Sequence, residues 1–312
     1  MKPIVLCGLA LALIVITGST LAGPGRRIRS SQEKKSPKIY ISVDMEGVTG
    51  VVTADQLGPQ GFEYQKFREQ MTDEVNAAIQ GASAAGATEF VVSDSHGNAE
   101  SLLPDKLTPY PAVTLVRGFP RPLGMMEGID TSFAGVIFIG YHASTDNPTG
   151  VRAHTISSAY LTNISLNGVT VPEAGINAAI AGQFGVPVIM ISGDDRIVKE
   201  ARDLLGNIEG ATVKYAAGFH SARTLLPGAG TTLIRDKATA AVKRIQDFKP
   251  YKIKMPVQLD VSFKNYRPVE VLSYLPAVER ISSHSVRFMA RDMVEASKFI
   301  EFITTYEPGL AP

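Results

Sequence analysis

The apolar positions of the chain follow two rhythms. Short unbroken runs such as Ile39–Val43 carry no polar alternation, as in strands buried on both faces of a parallel sheet. Between such runs, apolar residues recur at three- and four-residue spacing. Phe67, Met71, Val75, Ala78, Ile79 and Ala82 predict a helix over 67–85 that stops at Gly86. Phe90–Val92 is the next strand, and the order strand–helix–strand predicts a right-handed crossover and a parallel pair. Val113–Val116 and Val136–Ile139 continue as strands. Thr155–Leu166 holds one or two more before an Asn167-Gly168 turn. Glu173–Phe184 reads as a helix, Val186–Ile191 as a buried strand, Val198–Leu205 as a short helix and Val213–Tyr215 as a strand. The fold class is therefore α/β, with a mostly parallel sheet flanked by helices over residues 38–217.

The pattern changes after Gly218. Thr231–Phe248 predicts a long helix, and Met255–Phe263 and Val269–Leu272 alternate as half-exposed strands do. Val286–Ala290 is a further strand and Met293–Thr304 a terminal helix, so residues 218–312 read as a smaller C-terminal α+β domain. At the other end, Lys2 precedes an apolar run over Ile4–Ile16 and a small, polar stretch to Ala22. This predicts a signal peptide over 1–22, and hence an exported, periplasmic or extracellular protein. A retained N-terminal membrane anchor is the alternative, and Arg26, Arg27 and Arg29 weigh against smooth export. Residues 23–37 are polar and basic and read as a disordered linker.

Composition narrows the chemistry. The 312 residues are 45% hydrophobic and 20% charged, as in an average globular protein. A formal net charge of +1 gives no reason to expect nucleic acid or an acidic membrane surface as the main partner. Cys7 is the only cysteine, which excludes an intramolecular disulfide and a thiolate metal cluster. A metal would be held by His, Asp and Glu, which favours zinc, manganese or a similar divalent ion.

Such residues stand at the ends of the apolar runs: Asp44 and Glu46 after the first, Asp94 and His96 after the second, His142 after the fourth. In a parallel α/β sheet, ligands and chemistry collect at the carboxyl ends of the strands. Asp44 and Glu46 lie two apart, as do Asp94 and His96; in extended chain such pairs share a face. Paired carboxylates repel unless a cation lies between them. The five histidines are His96, His142, His154, His220 and His284. His154 lies in a polar loop suited to meeting substrate. His220 follows Phe219 near the expected domain junction and is a candidate for lining the site, whereas His284 reads as surface. Glu173 opens a helix, where the helix dipole accounts for an acid as well as a ligand role does. Asp194 and Asp195 are ligands, supports of ligands, or caps of a strand-to-helix turn. There is no Gly-x-Ser-x-Gly elbow, Walker loop or His-Glu-x-x-His helix. Pro227–Gly230 is Gly-rich but follows no strand in a βαβ context, so it is a weak phosphate signal.

Ser42-Val-Asp-Met-Glu-Gly47, Asp94-Ser-His96, Gly140-Tyr-His-Ala143, Ala153-His154 and Ser192-Gly-Asp-Asp195 together resemble the zinc-dependent D-aminopeptidase family, peptidase family M55, once labelled dipeptide-transport proteins. The resemblance runs from about Lys38 to near the C-terminus. It implies that Asp44, Glu46, His96, His142 and Glu173 hold two zinc ions per subunit, with Asp44 bridging. It implies that His154 is the catalytic residue, described in the family as a nucleophile, and that the chain forms a homo-oligomer, a ring-like decamer in the family. The expected activity is removal of the N-terminal residue from short peptides or amino-acid amides; the D preference rests on the resemblance alone. Because a metal-activated water already supplies the attacking group, imidazole chemistry favours His154 as a proton donor or oxyanion stabiliser. The loop Ser144–Gly150 and the leader depart from the family pattern. An extracytoplasmic peptide-binding protein, or a metal-dependent hydrolase of another bond, are the alternatives.

Overall fold

Three strands without a polar face must be covered on both sides, and they form the centre of the molecule. These are β1 (Lys38–Val43), β4 (Gly135–Tyr141) and β7 (Val188–Asp194). In the computed structural model, which describes residues 1, 3, 36–108 and 112–306, β4 and β7 are buried throughout and β1 in all but its first residue. Apart from these few positions, the leader expected over 1–22 and the linker expected over 23–37 lie outside the described residues.

The strands on either side are β2 (Glu89–Asp94), β3 (Val113–Val116), β8 (Glu209–Gly218) and β9 (Ser221–Thr224). The order across the sheet is β3-β2-β1-β4-β7-β8-β9. All neighbours are parallel except the hairpin β8–β9. Helix α1 (Tyr64–Ala84) packs against β1, β4 and the long helix α4 (Pro227–Lys243), which itself covers β7 and β8. Helix α2 (Glu173–Gln183) packs on β4, and α3 (Asp195–Leu205) on β7 and β8.

A second, antiparallel sheet has the order β11-β12-β10-β5-β6. Its strands are β5 (Leu161–Leu166), β6 (Val169–Thr170), β10 (Val257–Phe263), β11 (Val278–Arg280) and β12 (Ser285–Ala290). Alternate residues of β10 are buried, as its sequence pattern predicts. Helices α5 (Tyr266–Leu272) and α6 (Met293–Thr305) complete this smaller α+β part, with Phe288 of β12 stacked on Phe299 of α6.

The α/β class and the mostly parallel sheet stand as expected, but three details differ. The boundary placed at residue 218 does not separate the two sheets. Gly218 ends β8 within the main sheet, and α4 returns to that sheet, while β5 and β6 leave the first half to build the second sheet. From Ser36 onward the chain is one compact unit. Val269–Leu272 is helical rather than extended. Its four residues fit either period, and Asn265, whose side chain accepts from the Arg267 N–H, caps a helix there. The helix expected over Thr231–Phe248 starts earlier and ends earlier, with Pro227–Gly230 as the first turn of α4 and proline where a helix tolerates it best.

Candidate metal centre

The sheet starts from β1, fills one side through β2 and β3, then crosses to β4 and fills the other. Connections therefore leave β1 and β4 in opposite directions. The crevice beyond their carboxyl ends is the switch point where open α/β sheets bind ligands. Asp44 leaves β1 there and His142 leaves β4. Two glycines let the strand ends approach. A Cβ on Gly47 would stand 2.0 Å from the Tyr141 carbonyl oxygen, and one on Gly140 would stand 2.1 Å from the Asp44 carbonyl oxygen. Gly140 also has φ +70°, and the Gly47 N–H donates to its carbonyl at 2.6 Å.

Six side chains converge in the crevice as two groups: Asp44, Glu46 and His96, and His142, His154 and Glu173. Asp44 joins them. Its Oδ1 lies 3.3 Å from His96 Nδ1 and its Oδ2 lies 3.2 Å from His142 Nε2. Glu46 Oε2 is 3.0 Å from His96 Nδ1, and Glu173 Oε2 is 3.4 Å from His142 Nε2. The backbone fixes which ring nitrogen faces inward. His96 Nε2 pairs with the Leu57 carbonyl at 2.7 Å, His142 Nδ1 with that of Ala143 at 3.1 Å, and His154 Nδ1 with that of Arg152 at 2.8 Å. The rings of His142 and His154 stack at 4.0 Å, and His154 Nε2 reaches to 3.8 Å from Glu173 Oε1.

Burial pushes the Asp44 carboxyl up, and Glu46 beside it adds to the rise. The same burial acts on Glu46 and Glu173, but His96 beside the one and His142 beside the other outweigh it and hold both carboxyls below their usual range. For His96 and His142 burial favours the neutral ring. It is overcome by Glu46 and Asp44 at the first and by Glu173 and Asp44 at the second, so both rings titrate well above their ordinary 6.5. Without a cation, then, these carboxylates need protonated imidazoles. Asp44 Oδ2 and His142 Nε2 are buried and make no hydrogen bond. With its Nδ1–H given to the Ala143 carbonyl, a neutral His142 ring turns Nε2 to Asp44 Oδ2 as an acceptor, and two facing acceptors suit a divalent cation held by nitrogen and oxygen.

The other candidates lie elsewhere. Asp94 does not repeat the role of Asp44: its Oδ2 turns away to accept from the Leu102 N–H at 2.6 Å. Nor does strand alternation place Glu46; Val48 N–H donates to the Met45 carbonyl, so a turn after β1 brings Glu46 round to His96. Asp194 caps α3 through Oδ1, and its Oδ2 accepts from the Val151 N–H at 2.8 Å, so it holds the loop that carries His154. Asp195 accepts from the Ala216 N–H. His220 is exposed at the β8–β9 hairpin, 3.5 Å from Arg152, and His284 is exposed.

Several contributors carried no motif. Ile156 is held at φ +65°, a strained position for a β-branched residue, and its N–H donates to Glu173 Oε1 at 2.7 Å. The centre opens into a cavity of about 360 Å³ whose far wall includes Glu301, Thr304 and Thr305 of α6. Nothing in the polar spacing of a terminal helix distinguishes these from solvated residues. Lys214, wholly buried in β8, carried no signal either, since lysine is rarely buried and one in a short strand reads as its exposed face.

Known proteins share this arrangement of sequence and fold. The chain is 35% identical to the D-aminopeptidase of Bacillus subtilis (strain 168) over 260 residues, which is 83% of this chain and 93% of the relative. Its fold is similar to the solved structure of the Zn-dependent D-aminopeptidase DppA from Bacillus subtilis, described as a self-compartmentalizing protease. The TM-score is 0.82 at 34% identity, covering 86% of this chain and 96% of that one. The model of the M55 peptidases, described as D-aminopeptidase, matches residues 38–302, and the chain belongs to that family.

Proposed function

We propose that this chain is a zinc-dependent aminopeptidase with two ions per subunit, one held by Asp44, Glu46 and His96 and the other by Asp44, His142 and Glu173. The observation that carries this reading is the division of one carboxylate. Each oxygen of Asp44 faces a different histidine, and Oδ2 has no donor of its own. Bound zinc would supply the Lewis acidity that polarises a scissile carbonyl and activates water.

The protein's own groups do the rest. Glu46 and Glu173 would offset cation charge, and backbone carbonyls fix the rings of His96 and His142 so that one nitrogen of each faces the centre. His154 differs from these two in being only partly buried. With Nδ1 engaged by the Arg152 carbonyl, its Nε2 is free to carry a proton to the departing amine or to stabilise a developing oxyanion. We therefore assign it acid–base work rather than covalent attack. A cavity of about 360 Å³ lies near the small end of the ~300–1,000 Å³ range of ligand sites and suits short peptides or amino-acid amides.

The preference for D residues follows family membership. Assembly into a homo-oligomer, a decamer by the family likeness, follows the self-compartmentalizing relative. Export follows the leader, with Lys2, the apolar run to Ile16 and small residues to Ala22. The test is hydrolysis of paired D- and L-aminoacyl amides and dipeptides by the purified chain, before and after chelation and zinc return. Turnover that favours the D partner, stops on chelation and returns with zinc is expected. Turnover indifferent to chelation, or hydrolysis of neither series, would contradict the reading.

A further inference from the structure

Lys214 sits in the middle of β8 with no exposed surface and no carboxylate in ion-pair contact among the described residues. Its ammonium instead donates to three backbone carbonyls: those of Glu46, Val48 (3.1 Å) and Val51 (2.6 Å). Three acceptors match the three donors of an ammonium group. All three carbonyls belong to the turn that follows β1, which is itself neither strand nor helix. From the α1 side, the buried carboxylate of Glu74 accepts from the Thr49 N–H at 2.8 Å. The Lys214 side chain thus holds the carbonyls of the turn, and the Glu74 carboxyl holds one of its N–H groups. The first carbonyl held belongs to Glu46, whose side chain faces His96.

Burying an ammonium is costly, and an apolar side chain of similar length would fill the same space without that cost. We propose that Lys214 is a positioning residue of the metal centre, fixing the backbone of Glu46 so that its carboxylate stands opposite His96 before a cation arrives. The inference rests on the two-ion reading above. It makes a prediction whose sign is opposite to simple electrostatics. As a positive charge near the centre, Lys214 repels cations, so its removal would tighten zinc binding. As a clamp on Glu46, it favours zinc, so its removal weakens binding.

The test is competitive zinc titration of the full chain against a chromophoric chelator, with thermal melts in parallel, for wild type, Lys214→Met and Lys214→Gln. Lys214→Met keeps the side-chain length and loses every donor. Lys214→Gln keeps an NH2 group without the charge. The ion held by Asp44, Glu46 and His96 is expected to bind 10- to 100-fold more weakly in Lys214→Met, the range seen when groups that orient ligands are lost. A smaller loss is expected in Lys214→Gln, which carries the comparison alone if the Met variant does not fold. The ion held by His142 and Glu173 should change little. The control is Val213→Ala, the fully buried neighbour in β8, which lowers the melting temperature but should leave both zinc affinities in place. Unchanged or tighter zinc binding in the Lys214 variants overturns the proposal, as does equal zinc loss in Val213→Ala. A wild-type stoichiometry of one would sink the two-ion reading alone; the sign of the change in that single ion's affinity would still decide for or against the clamp.

Discussion

Each oxygen of Asp44 faces a different half of the centre, so the site hangs on single atoms rather than on bulk packing. Two residues make this testable. His154 is assigned to proton transfer, so His154→Ala should keep the full zinc content and lose roughly 10²–10⁴-fold in kcat, the usual worth of a general acid or base. Zinc lost together with activity would make His154 a ligand instead. Gly140→Ala would force a side chain into left-handed backbone, at about 1–2 kcal/mol, and drive its Cβ into the Asp44 carbonyl. We expect a loss of more than about 2 kcal/mol in chemical denaturation, with impaired zinc binding; a variant as stable as wild type would refute the close approach of the strand ends. At this scale the sequence displayed Asp44, Glu46, His96 and His142, because each follows a recognisable apolar run. It could not single out Glu173, since an acid in the first turn of a helix satisfies the dipole anyway. Asp94 was misleading for the same positional reason that made Asp44 informative, because position at a strand end does not say which way a carboxylate turns.

Elements bring these atoms together: β1, β2 and β4 supply Asp44, His96 and His142 from their carboxyl ends, and α2 supplies Glu173 from its first turn. The loop after β4 is tied to α3 by Asp194, whose two oxygens serve different elements. Asp194→Asn can keep the helix cap with its remaining oxygen, but its amide then faces the Val151 N–H, donor against donor. The expected result is a stability loss of about 1–3 kcal/mol, a lower kcat and unchanged zinc content; unchanged kinetics would show that the tie does not govern His154. Element types were legible wherever the apolar period was long, as in β1, α1 and α4. They failed at Val269–Leu272, where four residues fit two periods and a cap outside the stretch decided the outcome.

For the whole molecule, the sequence conveyed the parallel sheet but not how the two sheets share the chain. A pairing such as β5 with β10 joins segments about ninety residues apart and leaves no local mark. The buried charges make stability depend on pH in a direction that zinc should change. In zinc-free protein, His96 and His142 titrate above 6.5, so their ion pairs stabilise fully below about pH 6.5 and are lost as pH rises through the raised values. Glu46 and Glu173 titrate below 4.5, so their contribution is present above about pH 4.5 and fades as pH falls through the depressed values. Asp44, raised by burial, adds to the decline at higher pH. Zinc-free protein should therefore be most stable between about pH 4.5 and 6.5. The rise in Tm on adding zinc should be greater at pH 8 than at pH 6, because protons compete less for the ligands. Calorimetry at the two values, with and without zinc, would show it; a zinc-induced rise that shrinks with pH would contradict it. The most direct test of the central claim is zinc counted per chain by mass spectrometry after equilibration, in wild type and Asp44→Ala. Two ions in wild type and the loss of both in Asp44→Ala is the predicted result. Asp44→Ala that keeps either ion at wild-type affinity would contradict a centre bridged by this carboxylate.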